Sequence, residues 1–284
     1  MMDNSKNQKH PCFSASAAQH YARIHLPVAM HCNINCNYCN RRYDCLNESR
    51  PGVTSAIISP AEALRRYQYH KQRLSNLSVV GIAGPGDALA DWEETSQTIR
   101  LIRKYDPEVI LCLSTNGLKL PSMADDIVKL GVSHVTVTVN ALNPETGAKI
   151  YRYVNYQGKR YTGNSGADLL LYNQLEGIRL LVSSGIMVKV NTVMIPGIND
   201  HEIRAVVQKM SELGVYITNI MPFIPVRGSV FEKLSPTDRH KLDTIRSTCQ
   251  TEMLQLLHCR QCRADAVGML TEPKCNIQTD SKAV

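Results

Sequence analysis

The chain has 284 residues, enough for one large α/β domain or two small ones. Its formal charge of +7 is spread too thinly to form the basic, aromatic-lined stripe of a nucleic-acid-binding surface. No apolar run approaches the roughly 18 residues that span a bilayer, and the first residues lack the apolar core of a signal peptide, so we predict a cytoplasmic protein with no membrane or nucleic-acid partner.

Strand and helix patterns alternate along most of the chain. A polar N-terminal stretch, 1–22, carries only a short helical pattern at 14–22. Six strands rich in Val and Ile are predicted at 23–31, 77–84, 108–115, 132–140, 185–195 and 215–224. Helices are predicted at 59–76, 91–105, 121–131, 166–184, 200–214 and 235–258. The tyrosine-rich stretch 151–161 is expected to be irregular, either a lid or a solvated loop.

This alternation predicts an α/β fold with a parallel sheet and helical crossovers. Six repeats over 23–234 favour a partial (βα)6 TIM-like barrel over a doubly wound sheet, although spacing alone does not separate the two. The extension 1–22 and the tail 235–284 would flank this domain. Because ligands bind at the carboxyl ends of parallel strands, the loops that follow the strands should converge on one site.

Ten cysteines in a reducing compartment more often indicate metal binding than disulfides. Cys32, Cys36 and Cys39 follow a C-x3-C-x2-C spacing directly after the first predicted strand. Three thiolates in one loop can hold three corners of a four-iron cluster and leave the fourth iron open to a substrate. The alternative is that Cys36 and Cys39 form half of a zinc site completed by the pair Cys259 and Cys262, which leaves Cys32 and Cys45 without a purpose.

The C-x3-C-x2-C loop in a six-repeat βα pattern resembles the radical S-adenosylmethionine (radical SAM) superfamily. The resemblance implies that the open iron chelates S-adenosylmethionine and that an electron from the cluster cleaves its sulfonium to a 5′-deoxyadenosyl radical. Tyr38 matches the aromatic residue that the family has before its third cysteine. "GIAGPGDAL" matches the family's glycine-rich turn, in which Gly84 and Gly86 would let the backbone approach the methionine amino group.

A longer set of motifs resembles the NifB family of nitrogenase cofactor maturases: "HPCFS", "ARIHLPVA", "CNINCNYCNRRYDCLNESRPGVTS", "GIAGPGDALA", "LCLSTNGL" and "CRQCRADAVG". This resemblance implies a radical SAM enzyme that methylates a four-iron substrate cluster and then dehydrogenates the methyl group. Two such clusters would fuse around the resulting carbide into an 8Fe–9S–C cofactor precursor. The end of the chain soon after Cys262 resembles a short, stand-alone form of the family.

The same resemblance implies ligands for two further 4Fe–4S clusters that are substrates. The implied thiol ligands are Cys12, Cys45, Cys112, Cys259 and Cys262. It also implies a histidine, which binds iron more weakly than a thiolate and suits a cluster that must leave. His10 is the first candidate, with His25 and His31 as alternatives. Cys249 lies in a helical pattern and is interpreted as structural, whereas the role of Cys275 stays open.

Six polar residues are predicted to act in catalysis or cofactor binding, from their places in the motifs or at strand ends: Glu48, Asp87, Ser114, Asn116, Asn140 and Asn191. Glu48 would orient a ligand, bind iron weakly or move protons, or else form a salt bridge with a neighbouring arginine. Asn116 and Asn140 would contact the ribose or the methionine moiety, or else cap a turn. Asn191 is expected near the nucleoside.

The resemblance further implies three kinds of partner: an iron–sulfur cluster donor, a downstream scaffold or carrier protein, and an electron donor such as ferredoxin or flavodoxin. Two other classes remain open. One is a different radical SAM enzyme with auxiliary clusters that modifies peptides or small molecules. The other is a zinc-dependent nucleic-acid-binding module, which the six βα repeats disfavour.

Overall fold

The computed structural model describes residues 8–271 and contains one seven-stranded and one three-stranded sheet. The strands are β1 Ala22–His25, β2 Ile34–Cys36, β3 Leu77–Ile82, β4 Ile110–Thr115, β5 His134–Thr138, β6 Tyr151–Tyr156, β7 Lys159–Tyr161, β8 Met187–Met194, β9 Ile217–Pro222 and β10 Val267–Gly268. The helices are α1 Ala17–His20, α2 Pro60–Lys71, α3 Trp92–Tyr105, α4 Leu120–Lys129, α5 Pro144–Ile150, α6 Gly163–Ser183, α7 Ile203–Glu212 and α8 Arg239–Gln250.

The large sheet confirms the predicted partial barrel. Its order is β10-β1-β3-β4-β5-β8-β9, and the six strands from β1 to β9 pair in parallel and in chain order. Each is joined to the next by a segment that contains helix, which is the connection that parallel strands require. Most Val and Ile side chains of these strands are buried in one large core against the helices.

Local chemistry explains where several elements begin and end. The Ser59 hydroxyl accepts a hydrogen bond from the amide of Glu62, and Pro60 occupies the first turn, so α2 begins as predicted. The first strand ends at His25 rather than at residue 31 because Pro27 lacks the amide that would continue the ladder. The helix predicted at 235–258 is shorter, since α8 begins after its N-cap Asp238 and ends at Gln250.

The tyrosine-rich stretch 151–161 is a β-hairpin, so the prediction of an irregular loop is wrong. Strands β6 and β7 join through a two-residue turn at Gln157 and Gly158, both with positive φ (50° and 74°). The hairpin pairs with β2, the strand inside the cysteine loop, and Cys36 lies opposite Tyr151. Aromatic and β-branched residues around a Gln-Gly turn are the sequence pattern of a β-hairpin, but the polar residues between them obscure it here.

The two ends of the described chain meet beside β1. Strand β10 pairs antiparallel with β1, Phe13 packs against Leu256, and the imidazole of His258 donates to the carbonyl of Pro11 at 2.9 Å. The N-terminal extension and the tail therefore cover the barrel together. Within residues 8–271, no helix combines the length and the apolar character needed to cross a membrane.

Candidate active site

The cysteine loop forms one wall of a cavity at the carboxyl ends of the strands. Cys32, Cys36, Cys39 and Cys45 all line this first cavity. The loop is held by its β2–β6 ladder and by a hydrogen bond from the amide of Cys39 to the carbonyl of Cys36. Cys45 therefore lies with the three predicted cluster ligands, in a different cavity from the tail cysteines.

The opposite wall comes from the loops that follow β3 and β4. Gly86, Asp87, Ser114 and Asn116 line the first cavity, so these predicted cofactor-binding residues are brought together. The Asn116 amide donates to Asn33 Oδ1 at 2.6 Å and approaches the Cys32 sulfur at 3.7 Å. Polar side chains and the cysteine thiols therefore line the same cavity.

The glycine-rich turn also packs directly against the cysteine loop. The amides of Gly86 and Asp87 donate to the carbonyls of Ala29 and His31, both at 2.7 Å. A Cβ at Gly86 would lie 2.1 Å from the His31 carbonyl oxygen. Gly84, with φ of +121°, provides the preceding bend. In this structure Gly86 is required by the contact between two backbones, in addition to any approach to a ligand.

Asp87 fastens this turn to the next strand. Its carboxylate accepts hydrogen bonds from the hydroxyl of Thr115 and from the amides of Leu89 and Asn116. Burial raises the pKa of Asp87 although these donors oppose the shift. A carboxylate with its oxygens already bonded to protein acts by positioning the cavity wall.

Tyr38 and Asn140 lie behind the cysteine loop. The Tyr38 hydroxyl donates to Asn47 Oδ1 and accepts from the Asn140 amide, both at 2.8 Å. Asn140 Oδ1 accepts from the amide of Val193. Both ends of the Asn140 side chain are therefore bonded to protein, and Asn140 does not line the first cavity. The geometry favours its alternative, capping role over contact with a ribose.

The first cavity suits a thiolate-bound iron–sulfur cluster. Burial, reinforced by the charge of Asp87, raises the pKa of the Cys32 thiol to about 12. Burial and the neighbouring Cys39 likewise raise the pKa of Cys36 well above its usual range. Three thiols crowded into a desolvated site are costly to ionise unless iron replaces their protons. The Arg41 guanidinium lies beside Cys39 and supplies a permanent positive charge there.

A second cavity is assembled from distant parts of the chain. Cys12 of the N-terminal extension and Cys259 and Cys262 of the tail line it, so the structure brings these predicted ligands together. Cys262 accepts a hydrogen bond at 2.8 Å from Arg23, which is fully buried in β1. The second cavity lies deeper than the first, at the level of the third residue of β8, Lys189.

Asn47 and Glu48 form the wall shared by the two cavities. The Glu48 carboxylate accepts from Asn191 at 2.9 Å, and burial raises the pKa of Glu48 against the opposing charge of Lys189 and bonds from Ser114 and Asn191. Asn191 thus lines the second cavity and holds Glu48, rather than facing the first cavity as expected of a nucleoside contact. Glu48 therefore borders both cavities.

Lys189 is a functional candidate that sequence reasoning missed. Only 5% of this residue is exposed, although it lies in a strand of otherwise uncharged residues. Burial disfavours the ammonium, but Glu48, Cys12 and the other nearby thiols outweigh it and raise the pKa of Lys189. A charged lysine interrupting a Val-rich buried strand was the available signal.

The structure changes the ranking of the three candidate histidines. His25 lines the second cavity, and its Nδ1 donates to the Arg263 carbonyl at 3.2 Å, which leaves the lone pair on Nε2. Burial and the charge of Arg23 lower the pKa of His25 to about 3, so the ring is neutral and able to bind metal.

His10 and His31 are less suited to that role. His10 Nδ1 accepts from the amide of Cys12, so the ring proton lies on Nε2, which has no hydrogen-bond partner among the described residues. His31 does not line the second cavity. Its ring instead contacts Asp91 at 2.7 Å.

The remaining cysteines differ in position. Cys112 is the third residue of β4 rather than a strand-end residue, and it packs with Cys12 and Cys259 beside the second cavity. Cys249 is buried in the main core, as its structural interpretation predicted. Cys275 lies outside the described residues.

The zinc alternative is not supported by these positions. Cys36 and Cys39 line the first cavity, whereas Cys259 and Cys262 line the second. Within residues 8–271, no three His, Cys, Asp or Glu side chains are close enough to hold a single metal ion. A multi-iron cluster spans wider gaps than one ion, so this spacing is compatible with cluster binding.

Comparison with known proteins supports the fold described above. The model of the radical SAM superfamily matches residues 26–210. The chain therefore belongs to the radical SAM superfamily, and membership implies a 4Fe–4S cluster and S-adenosylmethionine. The C-x3-C-x2-C thiols of the first cavity fit that cluster.

Several curated relatives match 95% of this chain. The chain is 47% identical over 273 residues to the FeMo cofactor biosynthesis protein NifB of Klebsiella pneumoniae, covering 95% of this chain and 58% of that protein. It is 45% identical over 269 residues to the protein of the same name from Chlorobaculum tepidum, covering 95% of this chain and 63% of that protein. The chain thus spans little more than half the length of these relatives.

Solved structures agree on the fold alone. Streptococcus suis SuiB matches with a TM-score of 0.60 at 12% identity, covering 84% of this chain and 50% of that one. Methylornithine synthase (PylB) matches with a TM-score of 0.55 at 14% identity, covering 89% of this chain and 67% of that one.

Proposed function

We propose that this chain is the radical SAM part of a nitrogenase cofactor maturase. It would insert a carbide while fusing two 4Fe–4S substrate clusters into an 8Fe–9S–C precursor. The observation that carries the proposal is the pair of cysteine-lined cavities that share the wall of Asn47 and Glu48. The name of the relatives, FeMo cofactor biosynthesis protein, supports it.

In this proposal the first cavity is the radical centre. Cys32, Cys36 and Cys39 would hold the resident cluster, which would supply the electron for reductive cleavage of S-adenosylmethionine. The turn at Gly86 together with Ser114 and Asn116 orients the methionine moiety against the thiols. Cys45, in the same cavity, is close enough to the shared wall to ligate a substrate cluster instead of the resident one.

The second cavity receives the substrate clusters. Cys12, Cys259 and Cys262 are thiol ligands there, with Cys112 beside them and His25 as the nitrogen ligand. Five thiolates, counting Cys45, cannot saturate the eight iron corners of two clusters. Incomplete ligation suits clusters that must fuse and leave.

Glu48 and Lys189 have separate roles near the wall between the two cavities. Glu48 lines both cavities and burial raises its pKa, so its carboxyl group is placed to take up and return protons as hydrogens leave the methyl group. Lys189 balances the negative charge of thiolate-bound clusters in a desolvated site.

Three kinds of partner are part of the proposal. A cluster donor would supply the substrates, a scaffold or carrier protein would accept the precursor, and a ferredoxin or flavodoxin would deliver electrons. A second candidate function is that of another radical SAM enzyme with auxiliary clusters, which would use the second cavity for an electron-transfer cluster.

Iron analysis of protein reconstituted without oxygen tests the proposal. About twelve irons per chain are expected, from three four-iron units, whereas four to eight would favour the second candidate. Electron paramagnetic resonance with and without S-adenosylmethionine should show that only one cluster responds to it. Failure to convert label from the methyl group of S-adenosylmethionine into cluster-bound carbide would refute the maturase function.

A further inference from the structure

An open groove of about 860 Å³ lies on the outer side of the cysteine loop. We call it the outer groove; it is lined by parts of 30–32, 41–44 and 54–57 together with Pro85. Cys32 lines both the outer groove and the first cavity. The outer groove therefore reaches, from solvent, a thiol that we assign to the resident cluster.

The rim of the outer groove exposes apolar side chains. Met30 is 57% exposed and Ile57 is 42% exposed. Exposed methionine and isoleucine beside arginine form the mixture found at the centre of protein–protein contacts, where Met and Arg are enriched. Small, transient electron-transfer complexes need only a patch of this limited size.

The charge of the outer groove is positive. Arg41 and Arg42 are both exposed in its wall. Arg41 is fixed by a bond to the Pro85 carbonyl at 3.2 Å, and no ion pair joins Arg42 to a carboxylate in residues 8–271.

The two nearest carboxylates do not cancel this charge at the surface. Asp44 is buried and accepts from the hydroxyl and the amide of Ser55 and from the amide of Ala264. Asp91 accepts from the amide of His31 and contacts its ring. Asp44 is shielded by burial and Asp91 faces the His31 ring, so neither carboxylate pairs with the exposed guanidinium of Arg42.

We propose that the outer groove is the docking surface of an acidic one-electron carrier protein. The proposal rests on the proposed function, because it requires a cluster in the first cavity. The carrier loses one electron and the cluster held by the loop gains one, and no bond or proton is exchanged between the two proteins. Acidic side chains around the carrier's redox group would pair with Arg42, and Met30 and Ile57 would exclude water from the contact.

Charge reversal at one rim residue tests the docking surface. Reduced flavodoxin is the probe, and its binding to the full reconstituted chain is measured by fluorescence anisotropy at low and high salt. For Arg42→Glu we expect binding at least tenfold weaker at low salt, with most of the difference lost at high salt. Arg42→Lys should bind almost like the parent protein. Lys104→Glu, a reversal on the exposed end of α3, is the matched control.

Stopped-flow reduction of the cluster provides the second readout. Flavodoxin should reduce the Arg42→Glu protein more slowly, while dithionite should reduce it at the parental rate, since a small reductant does not need the docking surface. Equal flavodoxin binding by Arg42→Glu and the parent would overturn the proposal, as would equal weakening by Lys104→Glu.

Two other outcomes are distinct. If the sedimentation coefficient changes with Arg42→Glu but flavodoxin binding does not, the outer groove is a contact between copies of this chain and the proposal is wrong. If dithionite-reduced parent protein cannot cleave S-adenosylmethionine, the proposed function fails, which the binding data would not reveal.

Discussion

The two cavities differ in how the chain builds them. The first takes its four thiols from one continuous segment, between Cys32 and Cys45, whereas the second collects Cys12 from one end and Cys262 from the other. A site built from one loop depends on local backbone structure. A site built from both chain ends depends on how the tail packs against β1.

The largest expected effects come from removing one thiol in each cavity. Cys39→Ala should abolish cleavage of S-adenosylmethionine, because two thiolates and an open position cannot hold the resident cluster. Cys262→Ala should leave cleavage measurable and block the carbide-containing product. Detection of 5′-deoxyadenosine and of labelled carbide measures the two activities separately; a product from Cys262→Ala would contradict our assignment of the tail.

Gly86→Ala tests how far the first cavity depends on local packing. The new methyl group would lie 2.1 Å from the backbone oxygen of His31, which cannot move without shifting the cysteine loop. We expect the free energy of unfolding to fall by about 3 kcal/mol, as for severe overpacking. Urea denaturation measures it.

Gly158→Ala is the control for that experiment. Gly158 has φ of +74° but nothing within 4 Å of its Cβ position, so only the backbone cost of about 1 kcal/mol applies. Equal losses in the two variants would show that the close contact at Gly86 is unimportant.

Lys189→Met should act mainly on the second cavity, which Lys189 lines. Loss of a buried positive charge should weaken retention of iron there about tenfold and shift the reduction potential of that cluster to lower values, since the anionic reduced form loses its counter-charge. Lys189→Arg should restore both properties. Iron content and a potentiometric titration followed by electron paramagnetic resonance test this; a parental potential in Lys189→Met would exclude the proposed role.

Tyr38→Phe should give the smallest effect. It removes the hydroxyl that links Asn47 to Asn140 and leaves a buried amide without its acceptor. The free energy of unfolding should fall by about 1 kcal/mol. Tyr172→Phe, at a residue that is 68% exposed, should leave it unchanged in the same thermal melt.

Local signals in the sequence were enough for much of the fold and for the first cavity. Six Val- and Ile-rich strands pair in chain order, and the residues after β3 and β4, such as Asp87 and Asn116, meet the cysteine loop as expected. These predictions succeed because parallel strands place their following loops at one edge whatever the details of packing.

The second cavity was less accessible to such reasoning. The choice of His25 over His10 depends on which ring nitrogen is bonded to a backbone group, which no sequence pattern encodes. The role of Lys189 can be inferred only from the fold, which surrounds it with Glu48 and three thiols. Asn140 and Asn191 were assigned to cofactor binding from their strand positions, but their amides bond to protein side chains that come from distant segments.

The ladder between β2 and β6 has a consequence for iron exchange. The amide of Asn37 donates to the carbonyl of Ile150, and the amide of Asn155 donates to the carbonyl of Asn33, both at 2.8 Å. Hydrogen bonds to the hairpin therefore hold both ends of the segment between the first two thiols. These backbone bonds do not involve the thiols, so we expect the segment to keep its shape whether or not iron is bound. A chelator should therefore strip the protein of colour while its amide-exchange pattern stays the same.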